Sequence, residues 1–183
     1  MTKKLLTLFI ILASVFSFAQ KANLKKDLNK IIKGKQATVA VSVLSLDDDF
    51  NLNINGVKKL PMQSVFKFHI ALAVLDQVDQ QKFTIDNLML VTRNQLQEKT
   101  WSPMRDQYPK RGNIKTRLNQ VLKFTVAQSD NNGADILLKL IGGAPTVQKF
   151  IDKFGIKDFS IKFNEEEMHK ITDLQYQNYT TTN

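Results

Sequence analysis

The sequence has 183 residues and a net charge of +9, with 26 lysines and arginines against 17 aspartates and glutamates. It contains no cysteine and only two histidines, so a disulfide framework is excluded and a metal site has little support. The basic residues are scattered rather than clustered, and neither nucleic acid nor a cofactor is an expected partner.

The first residues have the pattern of an export signal. MTKK is followed by an apolar run from Leu5 to Ala19, which is shorter than the roughly 20 residues that a membrane span requires. Ser17-Phe18-Ala19 forms a small-residue cleavage site. The sequence therefore predicts a signal peptide over residues 1–19, cleaved between Ala19 and Gln20, and a periplasmic or secreted protein without membrane attachment. An uncleaved N-terminal anchor is the alternative.

The first half of the mature chain predicts a helix, a hairpin and a second helix. Apolar spacing from Leu24 to Ile32 indicates an amphipathic helix that ends at Gly34. The β-branched stretch 37–46 predicts a strand, and DDDF turns the chain into a partner strand, FNLNIN. An apolar helix follows from Ser64 to Gln80. Residues 82–92 then suggest a short extended segment, and residues 95–113 a long irregular one.

The second half predicts helices at residues 116–127, 132–141 and 145–154, separated by Gly142-Gly143 and ended by Gly155. From Ser160 onward the pattern weakens into a polar loop. We expect no strand to return to the first hairpin, although an isolated hairpin is only marginally stable. The sequence thus predicts an incomplete sheet.

Ser64 and Lys67 stand at the start of the apolar helix. A lysine on a buried helix needs a partner or a chemical role, because desolvating an ammonium is costly. Residues three apart on a helix are neighbours, so the amine can reach the serine hydroxyl and act on its proton. The helix N-terminus can stabilise an oxyanion at this position. His69 lies on a different face, and we expect it to be packed rather than catalytic.

Two further motifs carry candidate chemistry. Ser129-Asp130-Asn131 precedes a predicted helix, so one interpretation is a simple helix N-cap. The other is that Ser129 relays a proton while Asn131 orients a substrate. In NEEEMH, residues 164–169, the acidic run suggests a solvated face, but one glutamate near a serine nucleophile could instead deprotonate a water.

These motifs resemble those of class A serine β-lactamases, most closely the PER-type extended-spectrum branch. S-x-x-K together with S-D-N occurs in class A β-lactamases and penicillin-binding proteins. PMQSVFKF, KTWSP, SDNNGADILL, LIGG, VQKF, NEEEMHK and QYQN match the branch in order. No K-T-G or K-S-G triad follows Asn131, whereas the family has one on a late strand.

The resemblance implies a role for each matching residue. Ser64 would be the acylated nucleophile with Lys67 as the adjacent amine. Ser129 would shuttle a proton, Asn131 would bind the substrate amide, and Glu165 would activate the hydrolytic water.

Other matching residues would shape the site. Trp101 would line the substrate entrance, unless it is an ordinary loop tryptophan, and His169 would lie on the substrate side where the family usually has asparagine. Asn178 would close the omega-like loop that begins near Ser160. Phe163 replaces an arginine that pins this loop in many members.

The implied fold is α+β, an α/β sandwich plus an all-helical domain, as in the serine β-lactamase and D,D-peptidase-like fold. Residues 20–60 would supply the N-terminal helix and first strands, and residues 61–183 an incomplete helical domain. The implied function is hydrolysis of penicillins and cephalosporins by a monomer through a serine acyl-enzyme. We also expect that residues 20–183 alone do not fold stably. A penicillin-binding D,D-peptidase-like protein and a truncated, non-catalytic product are the alternatives.

Overall fold

The computed structural model describes residues 23–47, 49–108 and 112–182. The predicted signal peptide and its cleavage point lie outside these residues. The chain divides into one unit that contains the described residues up to Lys58 together with residues 181–182, and a second unit, Lys59–Thr180. Within the described ranges, no helix is both long and apolar enough to cross a membrane.

The first unit contains a helix and a hairpin. Residues 23–32 form helix α1. Strands β1, Val41–Leu44, and β2, Asn51–Ile54, pair antiparallel, with Val41 opposite Ile54. The predicted hairpin is therefore confirmed, although its first strand is shorter than the stretch 37–46. Leu52 and Ile54 alternate toward the buried side of β2, as expected for a strand with one covered face.

The second unit is mainly helical. Its longer helices are α2, Phe66–Asp79; α4, Leu118–Ala127; α5, Asn131–Ile141; and α6, Ala144–Asp152. Its short helices are α3, Pro103–Gln107, and α7, Glu165–Lys170. Its paired strands are β3, Leu60–Pro61, with β6, Tyr179–Thr180; and β4, Leu88–Val91, with β5, Ile114–Arg117. Its 3-10 turns are Gln63–Val65, Arg93–Gln95 and Thr172–Gln177.

Helix α2 is the centre of this unit and packs against α4, α5 and α6. Phe66, Ile70 and Val74 recur every four residues and are fully buried, because this spacing places them on one face of the helix. Leu137 of α5 is equally buried and belongs to the same core. The core thus fixes the two helices whose N-terminal ends carry the candidate site.

The longer helices were predicted well, whereas short elements were missed. The helix expected at residue 116 begins at Leu118, since residues 114–117 form β5. The expectation that residues from Ser160 onward form only a loop is wrong, because α7 lies within them. Strand β6, which the sequence did not predict, pairs with β3 and not with the strands of the first hairpin.

Candidate active site

Lys67 is the centre of a polar cluster in the second unit. It is the second residue of the apolar helix α2 and is only 2% exposed. Its Nζ lies 3.0 Å from Ser64 Oγ, 2.8 Å from Glu165 Oε1 and 2.5 Å from Asn131 Oδ1. The carbonyl and the hydroxyl of Ser129 lie at 3.0 and 3.2 Å. Residues from three separate chain segments therefore meet at one buried amine.

The contacts of the Lys67 amine allow it to pass protons between neighbouring side chains. Five oxygens among the described residues lie within hydrogen-bond distance of Nζ, but an ammonium has three N–H donors. The oxygens must therefore share these donors, and Nζ connects the Ser64 hydroxyl to the Glu165 carboxylate. These partners also explain why a charged group is tolerated inside an apolar helix.

Ser64 lies in the 3-10 turn that leads into α2, and its side chain is accessible to solvent. Gln63 before it has a φ of 47°, a left-handed conformation that non-glycine residues seldom adopt. Gln63 Nε2 donates to Gln175 Oε1 at 2.7 Å, which ties the turn to the late 3-10 segment. The turn thus presents the hydroxyl above the buried amine.

The Ser129-Asp130-Asn131 motif caps α5, as one interpretation of the sequence expected, and also brings Ser129 and Asn131 to Lys67. Asp130 is fully buried and is the N-cap of α5, accepting from Gly133 N–H at 2.8 Å. It also accepts from Ser102 Oγ at 2.9 Å and from Met104 N–H at 2.6 Å. Because Asp130 provides the cap, the side chains of Ser129 and Asn131 remain available to Lys67. Ser129 has a φ of 56°, which accompanies this sharp change in direction.

Asn131 is oriented by residues 100 and 101. Its Nδ2 donates to Thr100 Oγ1 at 2.7 Å, and its backbone N–H donates to the Trp101 carbonyl at 3.0 Å. Trp101 is 64% exposed, and its Nε1 donates to Gln128 O at 2.9 Å. The backbone of Trp101 therefore supports the site directly, while its indole does not line the cleft described next. Thr100 was missed by the sequence analysis.

A cleft of about 200 Å³ opens beside the cluster. It brings together Ser64, Asn131, Glu165 and His169, all of which the sequence analysis selected. Its remaining lining residues are Gln63, Met168 and Gln175. A small substrate in this cleft would contact the serine hydroxyl and the glutamate from the same side.

Glu165 is the first residue of α7, and its backbone is held from two directions. Asn164 and Glu167 form a reciprocal capping box, with Asn164 Oδ1 accepting from Glu167 N–H at 2.8 Å. Asp135 of α5 accepts from the N–H groups of Glu165 and Glu166 at 2.8 and 2.9 Å. Burial raises the pKa of Asp135 to about 7. Asp135 was not predicted from the sequence, although its position one turn after Asn131 could have suggested it.

Asn178 is 1% exposed and closes the loop that carries α7. Its Oδ1 accepts from the N–H groups of Lys162 and Phe163 at 2.8 and 3.1 Å, and its Nδ2 donates to Phe163 O at 2.7 Å. The Asn178 carbonyl accepts from Met62 N–H at 2.9 Å. One side chain and its backbone thus connect both ends of the loop to the segment before Ser64.

His69 packs among aromatic side chains and does not contact Lys67. The His69 ring packs against Phe159 and Phe68, with centroid distances of 4.7 and 5.6 Å. Burial lowers the pKa of His69, a shift that the Val65 backbone partly opposes. In the part of the chain that the structure describes, no three histidine or acidic side chains are grouped as a metal site would require.

Comparison with known proteins identifies the family that this chain matches. The model of the beta-lactamase enzyme family matches residues 23–183. Beta-lactamase VEB-1 of Pseudomonas aeruginosa is 44% identical over 177 residues, which cover 97% of this chain and 58% of that protein. Extended-spectrum beta-lactamase PER-1 of the same organism is 38% identical over 174 residues, which cover 95% and 56%.

This chain is also similar to a solved structure of a beta-lactamase. The crystal structure of the TLA-1 extended-spectrum beta-lactamase is 48% identical, with a TM-score of 0.84 over 88% of this chain and 58% of that one. The chain thus spans less than two thirds of the length of these proteins. The predicted resemblance and the predicted α+β fold class are confirmed. On the match over residues 23–183, the chain belongs to the beta-lactamase enzyme family.

Proposed function

We propose that the protein expressed from this gene hydrolyses the β-lactam amide through an acyl-enzyme on Ser64. The observation that carries this proposal is the buried Lys67 amine, which contacts both the Ser64 hydroxyl and the Glu165 carboxylate. A serine is a weak nucleophile until a neighbouring group removes its proton. Lys67 is placed to pass that proton toward Glu165 or Ser129.

In the first half-reaction, Ser64 Oγ attacks the β-lactam carbonyl and the ring C–N bond breaks. Ser129, within 3.2 Å of the Lys67 amine, returns the proton to the departing nitrogen. Asn131, fixed by Thr100, holds the amide of the substrate side chain. The products of this step are an ester on Ser64 and an opened ring.

In the second half-reaction, Glu165 removes a proton from a water that attacks this ester. Glu165 borders the same cleft as Ser64, so the water and the ester carbonyl would meet there. His169 lines this cleft and would contact the substrate. Two relatives are named extended-spectrum beta-lactamases, which supports a β-lactam as the substrate. The resemblance of the motifs is the ground for proposing penicillins and cephalosporins.

The wider setting is also a proposal. The export signal predicted over residues 1–19 supports a periplasmic or secreted enzyme, and we propose that it acts as a monomer. Residues 20–60 would belong to the α/β domain and residues 61–183 to the helical domain.

Intact-mass measurements over time after mixing with a cephalosporin test the function. We expect Glu165→Ala to retain an adduct that the wild-type protein loses, because a positioned base contributes about 10²–10⁴ to the rate. Glu166→Ala is the matched control, since the neighbouring Glu166 side chain pairs with Lys170 rather than Lys67. It should clear the adduct at nearly the wild-type rate, and Ser64→Ala should form none.

Two results would contradict the proposal. Rapid turnover by Glu165→Ala would remove the assigned base. A wild-type protein that stays acylated as long as Glu165→Ala would indicate a penicillin-binding D,D-peptidase-like protein instead.

A further inference from the structure

The side chain of Arg105, in α3, holds a neighbouring turn of the chain. Its Nη1 donates to the carbonyls of Gln97, Glu98 and Thr100 at 2.6, 2.7 and 3.0 Å. The guanidinium is charged and planar, so these hydrogen bonds are stronger than bonds between neutral groups. Its Nε and Nη2 pair with the exposed Asp106 carboxylate. One nitrogen of Arg105 therefore serves three carbonyls of one short segment.

This segment, residues 97–100, depends on such hydrogen bonds because all of its side chains are polar. Asn132, buried on α5, accepts from Gln97 N–H at 2.9 Å and donates to Gln97 O at 3.2 Å. These two bonds fix only the start of the segment. Arg105 also reaches its end, because it contacts the carbonyl of Thr100.

Thr100 connects the segment to the candidate active site. Its carbonyl accepts from Arg105, and its Oγ1 accepts from Asn131 Nδ2 at 2.7 Å. Asn131 Oδ1 lies against Lys67 Nζ, so the oxygen and the nitrogen of this amide have different partners. One N–H of Nδ2 is used by Thr100, and the other is available to a substrate in the cleft that Asn131 lines.

Arg105 is also held through its own backbone. Its N–H donates to Ser102 Oγ at 3.2 Å, and this hydroxyl donates to Asp130 at 2.9 Å. Asp130 directly precedes Asn131, so the hydrogen bonds form a closed circuit that returns to the start of α5. A guanidinium anchored in this way fixes Thr100 relative to Asn131.

We propose that Arg105 is a positioning residue for substrate recognition, which fixes residues 97–100 and, through Thr100, directs the available N–H of Asn131 into the cleft. The protein then favours β-lactams with an acylamino group on the ring, because the amide oxygen of that group accepts this N–H. The placement of the segment depends on contacts within the chain alone. Its effect on substrates rests on the proposed function.

Steady-state kinetics with two penicillins test the effect on substrates, on the protein as expressed from its gene. Benzylpenicillin carries the acylamino group, whereas aminopenicillanic acid has a free amine in its place. Arg105→Ala should lower kcat/KM for benzylpenicillin by about three- to tenfold, because one hydrogen bond is disturbed, and for aminopenicillanic acid by less than about twofold. A smaller folded fraction would lower both values equally, so their ratio separates positioning from stability.

Two further arginine variants complete this test. Arg117→Ala is the matched control, since this exposed arginine of β5 contacts Asp86 instead of the segment, and it should leave the ratio unchanged. Arg105→Lys keeps the charge but lacks the planar fork that reaches several carbonyls, so its ratio should lie between those of wild type and Arg105→Ala. This milder variant keeps the inference testable if Arg105→Ala does not fold.

The route through Thr100 is tested by a double-mutant cycle. Thr100→Val removes the oxygen that accepts from Asn131 and keeps the shape of the side chain, so it should show the same selective loss on benzylpenicillin. Adding Arg105→Ala to Thr100→Val should cause little further loss, because both substitutions act on one hydrogen bond. Equal losses on the two penicillins in Arg105→Ala, or losses of the two substitutions that simply add, would overturn the inference.

Amide hydrogen exchange provides a readout that requires no activity. The backbone N–H groups of Gln97 and Asn131 form hydrogen bonds at the two ends of the segment, to Asn132 Oδ1 and to residue 101. Both amides should exchange faster in Arg105→Ala than in the wild-type protein or in Arg117→Ala. Unchanged exchange in Arg105→Ala would overturn the inference.

The two measurements distinguish the inference from the proposed function. Faster exchange in Arg105→Ala, together with a wild-type protein that forms no adduct on Ser64 with either penicillin, would contradict the proposed function and the effect on substrates. It would still support the placement of residues 97–100 by Arg105.

Discussion

Replacement of Asp130 by alanine should destabilise the protein strongly, because this one carboxylate serves several buried donors. The carboxylate is fully buried and accepts from Ser102 Oγ, Met104 N–H and Gly133 N–H. Its removal leaves three buried donors without their acceptor, at about 1–3 kcal/mol for each. We therefore expect a loss of about 3–9 kcal/mol, a large part of the roughly 5–15 kcal/mol that stabilises a typical domain.

Two further variants serve as references for the stability loss expected in Asp130→Ala. Asp130→Asn keeps one carbonyl oxygen as an acceptor, so it should lose about 1–3 kcal/mol. Asp106→Ala removes an exposed carboxylate that pairs with Arg105, and it should change stability by less than about 1 kcal/mol.

The assay is urea unfolding of the three variants and the wild-type protein, combined with the rate of adduct formation. Acylation should slow in parallel, because Asp130 frees Ser129 and Asn131 to face Lys67. A loss below about 1 kcal/mol in Asp130→Ala, equal to that of Asp106→Ala, would refute the argument that this carboxylate organises the site.

Three further results are expected. Asn178→Ala should slow adduct loss more than adduct formation, as measured by intact mass, because it releases the loop that carries Glu165; equal slowing of both would contradict this. Gly133→Ala should destabilise the protein by about 1–3 kcal/mol, because the new Cβ would collide with Thr125 Oγ1. In a double-mutant cycle, Thr125→Ala should relieve part of this loss. Stability changes of the two substitutions that simply add would exclude the collision. Asp135 binds its proton more tightly in the folded state than in the unfolded state. Its contribution to the free energy of unfolding is therefore full below the unfolded pKa near 3.9 and is lost as pH rises through about 7. The unfolding free energy of Asp135→Asn relative to wild type should rise between pH 4 and 7, and a constant difference would argue against this pKa shift.

The sequence was sufficient for elements whose pattern is long. The apolar spacing of Phe66, Ile70 and Val74 predicts α2, and the glycines that flank residues 144–152 predict the bounds of α6. Strand β5 was missed because only its alternate residues, Ile114 and Thr116, are buried. Four residues of this kind give too little periodicity to separate a strand from the start of a helix.

The contacts of the candidate site could likewise be predicted only where the residues are close in sequence. Ser64 and Lys67 could be paired from helix geometry alone, because both belong to one chain segment. The contact of Lys67 with Glu165 joins residues far apart in sequence, and only the resemblance suggested it. The roles of Asp135 and Thr100 depend on tertiary hydrogen bonds, which no local pattern contains. Helix α7 was missed despite its Asn164–Glu167 capping box, because a charge run without apolar periodicity favours a loop.

The most direct test of Ser64 as the nucleophile is to locate the acyl group by peptide mapping of the Glu165→Ala protein, which should retain its adduct, after an acid quench seconds after mixing with a cephalosporin. Trypsin cleavage after Lys59 and Lys67 releases residues 60–67, LPMQSVFK, in which Ser64 carries the one side-chain hydroxyl. The account predicts the added mass on this peptide. An adduct on the peptide that contains Ser129, or no adduct on any peptide, would contradict Ser64 as the nucleophile.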